Sequence, residues 1–240
     1  MEFTLLAAVM LGVAAACAWL AVIHRGDAEL RRTACDLVVI GALAGIVVGR
    51  IWAMVSAGTN PITHPADLFI VRGGVDPFAA SIAALAAVGW SARHEGLALL
   101  DATAPGAVMG LAGWHAGCLV RGACLGSTTN LPWGWTATPA GVDRHPVELY
   151  AAALLVLAAV AVTMLWRRHS GTGLATTLAV ASAAGVRALT EPLRPVLGSG
   201  RTVGYAVAAV VSVGAATVLW WRNAKGKERR ANPTVLAGNG

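Results

Sequence analysis

The chain has 240 residues, 57% of them hydrophobic and only 12% charged, with a formal net charge of +6 and a mean hydropathy of +0.66. A soluble domain carries about 25% charged residues, so this composition excludes an ordinary soluble fold and points to an integral membrane protein. The basic surplus suggests nucleic acid at first sight, but it sits in the flanks of apolar segments, which excludes that partner class.

Taken in chain order, seven stretches reach or approach the ~20 apolar residues that cross a bilayer. They are Phe3 to Ile23, Cys35 to Val55, Pro77 to Ala92, Leu97 to Val120, Pro146 to Trp166, Leu174 to Leu189 and Val203 to Trp221. The third is short, and the fourth contains Asp101 and Pro105. The first lacks a basic leading region, so it is read as a retained span although Ala14-Ala15-Ala16-Cys17 imitates a lipoprotein cleavage box. The expected architecture is all-α and polytopic, with seven transmembrane helices in one domain over residues 1–222 and a basic, disordered tail over 223–240. An odd number of spans puts the termini on opposite sides. The basic run from Arg222 to Arg230, against a lone Glu2 at the other end, places the N-terminus outside and the C-terminus in the cytoplasm.

Eleven of the 18 Lys and Arg residues fall in segments that this topology turns to the cytoplasm. The other seven are Arg50, Arg72, Arg121, Arg144, Arg187, Arg194 and Arg201, all arginine, within spans or in the opposite loops. A charge at mid-bilayer costs at least ~2.5–3.5 kcal/mol, so each needs a partner, water or an interfacial position. Guanidinium groups on the outer side imply a site for an anionic, phosphate-bearing ligand, formed by the outer loops. Three Gly-, Pro- and Trp-rich segments lie there: Ser56 to Asp76, Arg121 to His145 and Thr190 to Thr202. Irregular backbone at membrane depth must be buried in protein or line a wet cavity. Asp67 to Gly74 reads as a short amphipathic helix ending in a glycine turn, and Leu131 to Trp135 as a loop resting at the interface.

Within the spans, Arg187, Glu191 and Arg194 share one helical face if the sixth helix continues, a continuation that Pro192 weakens. A bundle-facing arginine beside a glutamate and a second arginine reads as a ligand site more readily than as a structural pair. Asp101 falls on the cytoplasmic side, too far to pair with Arg187, and reads as a helix-start or structural polar contact. Cys17 and Cys35 read as packing residues. Cys118 and Cys124 pair only if a loop interrupts the helix between them, since i,i+6 on a continuous helix is too distant. The four Cys show no zinc spacing, and neither metal nor cofactor is expected.

Several motifs in register resemble the bacterial prolipoprotein diacylglyceryl transferase family, from Gly49 to Arg194. Gly49-Arg50 is similar to its GR pair. Pro65 to Val75 is similar to its segment ending in a double glycine. Asp101-Ala102-Thr103-Ala104-Pro105 matches its D-x-x-A-P, and Gly117 to Gly126, followed by Leu131-Pro132-Trp133-Gly134, is similar to its signature loop. Arg144-His145-Pro146-Val147-Glu148-Leu149-Tyr150 resembles its RHP-x-Q-LYE, and Arg187, Glu191 and Arg194 match its late R-x-x-x-E-x-x-R. The resemblance implies a plasma-membrane enzyme that moves diacylglyceryl from phosphatidylglycerol to the lipobox cysteine in a prolipoprotein signal peptide, releasing glycerol phosphate. Membrane lipids are then both partner and substrate.

The chain departs from the family pattern at several positions. His115 stands where the family has an arginine, Cys118 where it has asparagine, and Ala183 where it has tyrosine. Glu148 replaces glutamine, Ala151 replaces glutamate, and the expected His-Gly-Gly is matched only by Phe78-Ala79-Ala80. His115 can compensate as a base near neutral pH. On this reading Arg187, His115 and Glu191 carry catalysis, while Arg50, Arg144, Arg194, Arg121, Gly126, His145 and Cys118 bind substrate. The alternative is a non-catalytic paralogue that holds anionic phospholipid or a lipoprotein partner. A lipid-translocating role has no separate feature in its favour.

Overall fold

A computed structural model describes residues 4–68, 74–137, 141–194 and 200–231, with the side chains of residues 4, 5, 68, 121, 200, 201 and 226–231 outside that set. Its long helices are α1 (Thr4–Ile23), α2 (Ala28–Ser56), α3 (Pro77–Ser91) and α4 (Gly96–Ala116), followed by the short α5 (Cys118–Arg121), then α6 (Val147–Arg168), α7 (Leu174–Thr190) and α8 (Gly200–Ala231). Single 3-10 turns occupy Pro65–Leu68 and Glu191–Leu193. Helices thus occupy all seven expected apolar stretches. Among the described residues, five are long and apolar enough to cross a membrane: Leu6–Ile23, Ala28–Ser56, Gly96–Val120, Val147–Arg168 and Thr202–Lys225. At 1.5 Å per residue, α3 and α7 are shorter than a ~30 Å hydrocarbon core.

Boundaries follow local chemistry. Asp27 caps α2 by accepting from the Leu30 N–H at 2.9 Å, so that helix starts upstream of the apolar stretch and includes Arg31 and Arg32. Asp76 caps α3 through the Phe78 and Ala79 N–H groups at 3.0 and 2.9 Å, with Pro77 opening the helix. α8 continues through the basic residues to Ala231, into the segment expected as a tail. The loop before α6 is not purely irregular. It forms a hairpin of β1 (Trp135–Ala137) and β2 (Val142–Arg144), with Trp135 opposite Arg144. This two-stranded element departs from the all-α expectation. It arises where the apolar run gives way to residues with no helical periodicity, and the Gly141 N–H bonds back to the Ala137 carbonyl at 2.9 Å.

Helix α4 is the hub, packing on α1, α2, α6 and α7. The α1–α4 seam is built from small residues. A Cβ added at Gly113 would lie 2.9 Å from Ala15 Cβ, and one at Gly117 would lie 2.7 Å from Ala8 Cβ. Lipid tails supply no hydrophobic drive between helices, so close backbone approach and dispersion hold such a seam. Ala8 lies by Gly117 and Leu20 by Gly106, which makes the two helices antiparallel and starts α1 at the His115 end of the bundle. On the opposite face of α4, Val108 and Ala112 pack with Leu155 and Val162 of α6 and Ala179 and Val186 of α7. Large apolar side chains such as Leu43, Trp52, Leu157, Val210 and Val211 face outward, as a lipid-exposed surface requires.

Asp101, fully buried, acts as an inter-helix cap. Its carboxylate accepts from the Gly173 N–H at 2.8 Å, the Thr176 N–H at 2.9 Å and the Thr176 hydroxyl at 2.8 Å. An aspartate inside a span is tolerated because the first turn of α7 supplies unpaired N–H groups and the positive end of a helix dipole. The expected structural reading of Asp101 is what the fold shows.

Candidate functional site

At the other end of α7, four short pieces of chain converge. His115 ends α4, Glu148 lies in the first turn of α6, Arg187 lies in the last turn of α7, and Glu191 with Arg194 follow on the 3-10 turn. Pro192 stops the α-helix at Thr190 but fits the start of a 3-10 turn. That turn keeps Glu191 and Arg194 beside Arg187. The one-face reading therefore survives the proline by a change of helix type.

The side chains form a continuous chain of alternating charge. His115 Nδ1 lies 2.5 Å from one Glu148 carboxylate oxygen, and the other oxygen accepts from an Arg194 terminal N–H. Arg194 Nε is 3.7 Å from Glu191, whose carboxylate is 3.1 Å from Arg187 Nε. The Arg187 guanidinium lies 5.6 Å from the ring centroid of Tyr205 on α8, within cation–π range. All members of the chain are mostly buried, with Glu191 at 5% exposure. Because the carboxylate can only accept, Nδ1 carries the His115 ring proton and Nε2 is the ring's acceptor. The second terminal nitrogen of Arg194 is buried with no hydrogen-bond partner among the described residues. Such a guanidinium nitrogen demands an acceptor.

A tied loop backs this chain. Helix α5 ends at Gly122, whose left-handed backbone (φ 63°) lets its N–H and that of Ala123 return to the Cys118 carbonyl. The turn brings Cys124 back to Cys118, and the two form a disulfide. Cys118 is therefore buried in a crosslink rather than presented as a side chain to the site. The Cys124 carbonyl then accepts from the Glu148 N–H at 3.4 Å. The Gly126 N–H donates to the His145 carbonyl at 2.7 Å, and Arg144 donates to the Gly126 carbonyl at 3.0 Å. A Cβ at Gly126 would fall 2.2 Å from the Leu193 carbonyl oxygen. That clash explains why glycine stands where the loop crosses the 3-10 turn. His145 packs edge-on to Tyr150 at 6.1 Å, and its Nδ1 is buried with no hydrogen-bond partner among the described residues.

Of the ten residues singled out from the sequence, His115, Arg187, Glu191 and Arg194 share one network. Gly126, Arg144, His145 and Cys118 form the loop that supports it. Arg50 is placed elsewhere. From α2 it donates to the Asp67 carbonyl at 3.1 and 2.7 Å and to the Gly74 carbonyl at 2.9 Å, tying both of these later residues to that helix. The Arg121 side chain, Arg72 and most of the Asp67–Gly74 helix expectation lie outside the described residues. Two functional candidates were missed. Glu148 carried a usable signal, as a carboxylate in the first turn of a span that requires a cationic partner. Tyr205 carried none, because its meeting with Arg187 depends on how α8 packs on α7.

The arrangement can hold an anion at Arg194 and Arg187 and accept a proton at His115. A protein from Cupriavidus pinatubonensis named phosphatidylglycerol–prolipoprotein diacylglyceryl transferase is 31% identical over 122 residues, covering 48% of this chain and 44% of that protein. Proteins of the same name from Clostridium tetani and Pseudomonas fluorescens are 24% identical over 125 residues and 28% over 142, covering 49% and 55% of this chain and 50% and 52% of those proteins. The chain thus spans about half the length of the curated relatives it matches. The family pattern itself extends much further, over residues 5–221, and with that span, the helical fold and the motif residues gathered at one end of the bundle, the chain belongs to the prolipoprotein diacylglyceryl transferase family.

Proposed function

We propose that this protein transfers diacylglyceryl from phosphatidylglycerol to the lipobox cysteine of a prolipoprotein. The observation that carries this reading is the buried nitrogen of Arg194, unpartnered among the described residues, at the centre of the His115–Glu148–Arg194–Glu191–Arg187 chain. In the proposed step the cysteine sulfur attacks the glyceryl carbon that bears the phosphate. The carbon–sulfur bond forms, the carbon–oxygen bond breaks, and glycerol phosphate leaves with the electron pair. Arg194 and Arg187 stabilise the charge gathering on that phosphate, where a dry site makes guanidinium most effective. The thiol proton passes to His115 Nε2, and Glu148 holds the imidazole in the required tautomer. Glu191 fixes both arginines in position.

The same reading takes seven crossings, with the shorter α3 and α7 included, in a bacterial plasma membrane. The site then faces outward, the N-terminus lies on that side and the basic end of α8 lies in the cytoplasm. A second reading, binding of anionic phospholipid without turnover, is favoured by one observation: each site arginine already has a carboxylate partner. The two readings separate when purified protein is mixed with phosphatidylglycerol and a synthetic lipobox peptide. A diacylglyceryl mass gain on the peptide, lost in Arg187→Ala, supports transfer. Retained phosphatidylglycerol with an unmodified peptide supports the binding protein.

A further inference from the structure

The end of the bundle remote from His115 carries a second feature that the transferase reading does not use. Between α6, α7 and α8 runs an open groove of about 340 Å³, lined by Leu165, Leu178, Ala181, Val213, Ala216 and Trp220. It continues past Leu174 and Trp220 into a smaller recess of about 120 Å³ bounded by His169 and Asn223. The groove is almost wholly apolar, with Thr217 on its α8 wall turning its hydroxyl to the Val213 carbonyl, and the recess adds His169 and Asn223 to the lining. Asn223 Nδ2 is buried there with no hydrogen-bond partner among the described residues, and a buried amide N–H group calls for an acceptor. The His169 ring packs at 5.1 Å against Trp220 and so stays in the mouth.

Cationic residues adjoin the lining residues of this recess in the chain. Arg167 and Arg168 form the last turn of α6 next to His169. Arg222 precedes Asn223 on α8, whereas Lys225 places its ammonium 3.5 Å from the ring centroid of Trp221, a residue outside the groove lining. The first acidic residue on α8 is Glu228, beyond Lys225, and α6 has none beyond Glu148. An apolar slot open to the membrane, with an unsatisfied donor at its end and arginines next to that end in the chain, suits an acyl chain joined to a phosphate. Basic recesses between transmembrane helices bind anionic headgroups in this way.

We propose that the α6–α7–α8 groove is a binding site for an anionic phospholipid, separate from the cluster around Arg194. One acyl chain lies along Leu178, Ala181, Val213 and Ala216. The phosphate oxygens accept from Asn223 and face Arg168 and Arg222. The occupant is a resident lipid at the opposite membrane face from the proposed reaction, and it is not the substrate.

Native mass spectrometry of the full chain in mixed micelles tests the site, with phosphatidylglycerol and phosphatidylcholine in equal amounts as the probes. Wild-type protein is expected to retain phosphatidylglycerol in preference. Ala216→Leu, which fills the groove from an already lipid-facing helix, is expected to retain one lipid fewer. Asn223→Leu is expected to lower the preference for phosphatidylglycerol at least several-fold without lowering the total. A lipid count unchanged in Ala216→Leu, or equal retention of both lipids by wild type, overturns the proposal. A second measurement covers a variant that fails to fold. Phosphatidylglycerol brominated on its acyl chain should quench wild-type tryptophan emission more than it quenches Trp220→Phe. Equal quenching of the two proteins counts against the site.

Discussion

Asp101 offers the most direct test of how this bundle is held together. Substituting alanine removes the acceptor for the Gly173 N–H, the Thr176 N–H and the Thr176 hydroxyl, all at 2.8–2.9 Å. Hydrogen bonds between helices in membrane proteins average about 0.6 kcal/mol and reach about 1.7 kcal/mol, so three give about 2–5 kcal/mol. The acceptor is charged and fully buried, which favours the upper half of that range, and the first turn of α7 adds about 0.5 kcal/mol through its dipole. The expected loss for Asp101→Ala is about 3–4 kcal/mol. Asp101→Asn keeps one oxygen for both Thr176 donors but turns an amide toward the Gly173 N–H, and should lose about 1–2 kcal/mol. Denaturant titration in detergent, followed by far-UV circular dichroism, measures both. Stability within about 0.5 kcal/mol of wild type for the alanine variant, or asparagine costing as much as alanine, would refute the capping argument.

Other substitutions probe separate parts of the structure. Gly113→Val places side-chain atoms within 3 Å of Ala15 and the Leu11 carbonyl. Forcing α1 and α4 apart should cost about 1–3 kcal/mol or more, read as a fall in melting temperature, while Gly89→Val, whose Cβ meets nothing within 4 Å, should not. Reducing the Cys118–Cys124 disulfide, a loop of sequence separation 6, should lower stability by about 2 kcal/mol on the chain-entropy account. The Cys124→Ser variant should be indifferent to reductant. Arg50→Lys keeps the charge but loses the planar fork that spans the Asp67 and Gly74 carbonyls. It should lower the melting temperature nearly as much as Arg50→Ala, whereas rescue by lysine would mean that charge alone matters at this position.

How much of this was legible in the sequence depends on the range of the contact. Helix positions were legible because apolar length and flanking charge act locally, and the seven stretches each contain a helix. The Arg187, Glu191 and Arg194 grouping was legible because spacing over about two turns of chain survives the switch to a 3-10 turn at Pro192. The pairing of His115 with Glu148 was not, since it joins α4 to α6 across 33 positions. Those two positions are also where the chain departs from the family's arginine and glutamine, and the structure shows that the two departures touch. The expected headgroup role of Arg50 rested on charge and on the resemblance of Gly49-Arg50, and only tertiary placement reveals its three hydrogen bonds to the Asp67 and Gly74 carbonyls. The β1–β2 hairpin escaped because its strands are three residues long, too short for alternation to show. Tyr205 meets Arg187 only through the packing of α8 on α7.

The coupled pair also provides the sharpest test of the central claim, that one network performs proton removal and anion stabilisation together. Transfer to a lipobox peptide from phosphatidylglycerol would be followed under single-turnover conditions for wild type, His115→Ala, Glu148→Ala and the double variant. Measurable transfer by wild type is expected, with a loss of at least about 100-fold in each single variant and a double variant whose loss is well short of the product of the two, because Glu148 acts partly through His115 and partly through Arg194. Wild-type transfer left unchanged by either substitution, or losses that multiply in the double variant, would contradict the claim.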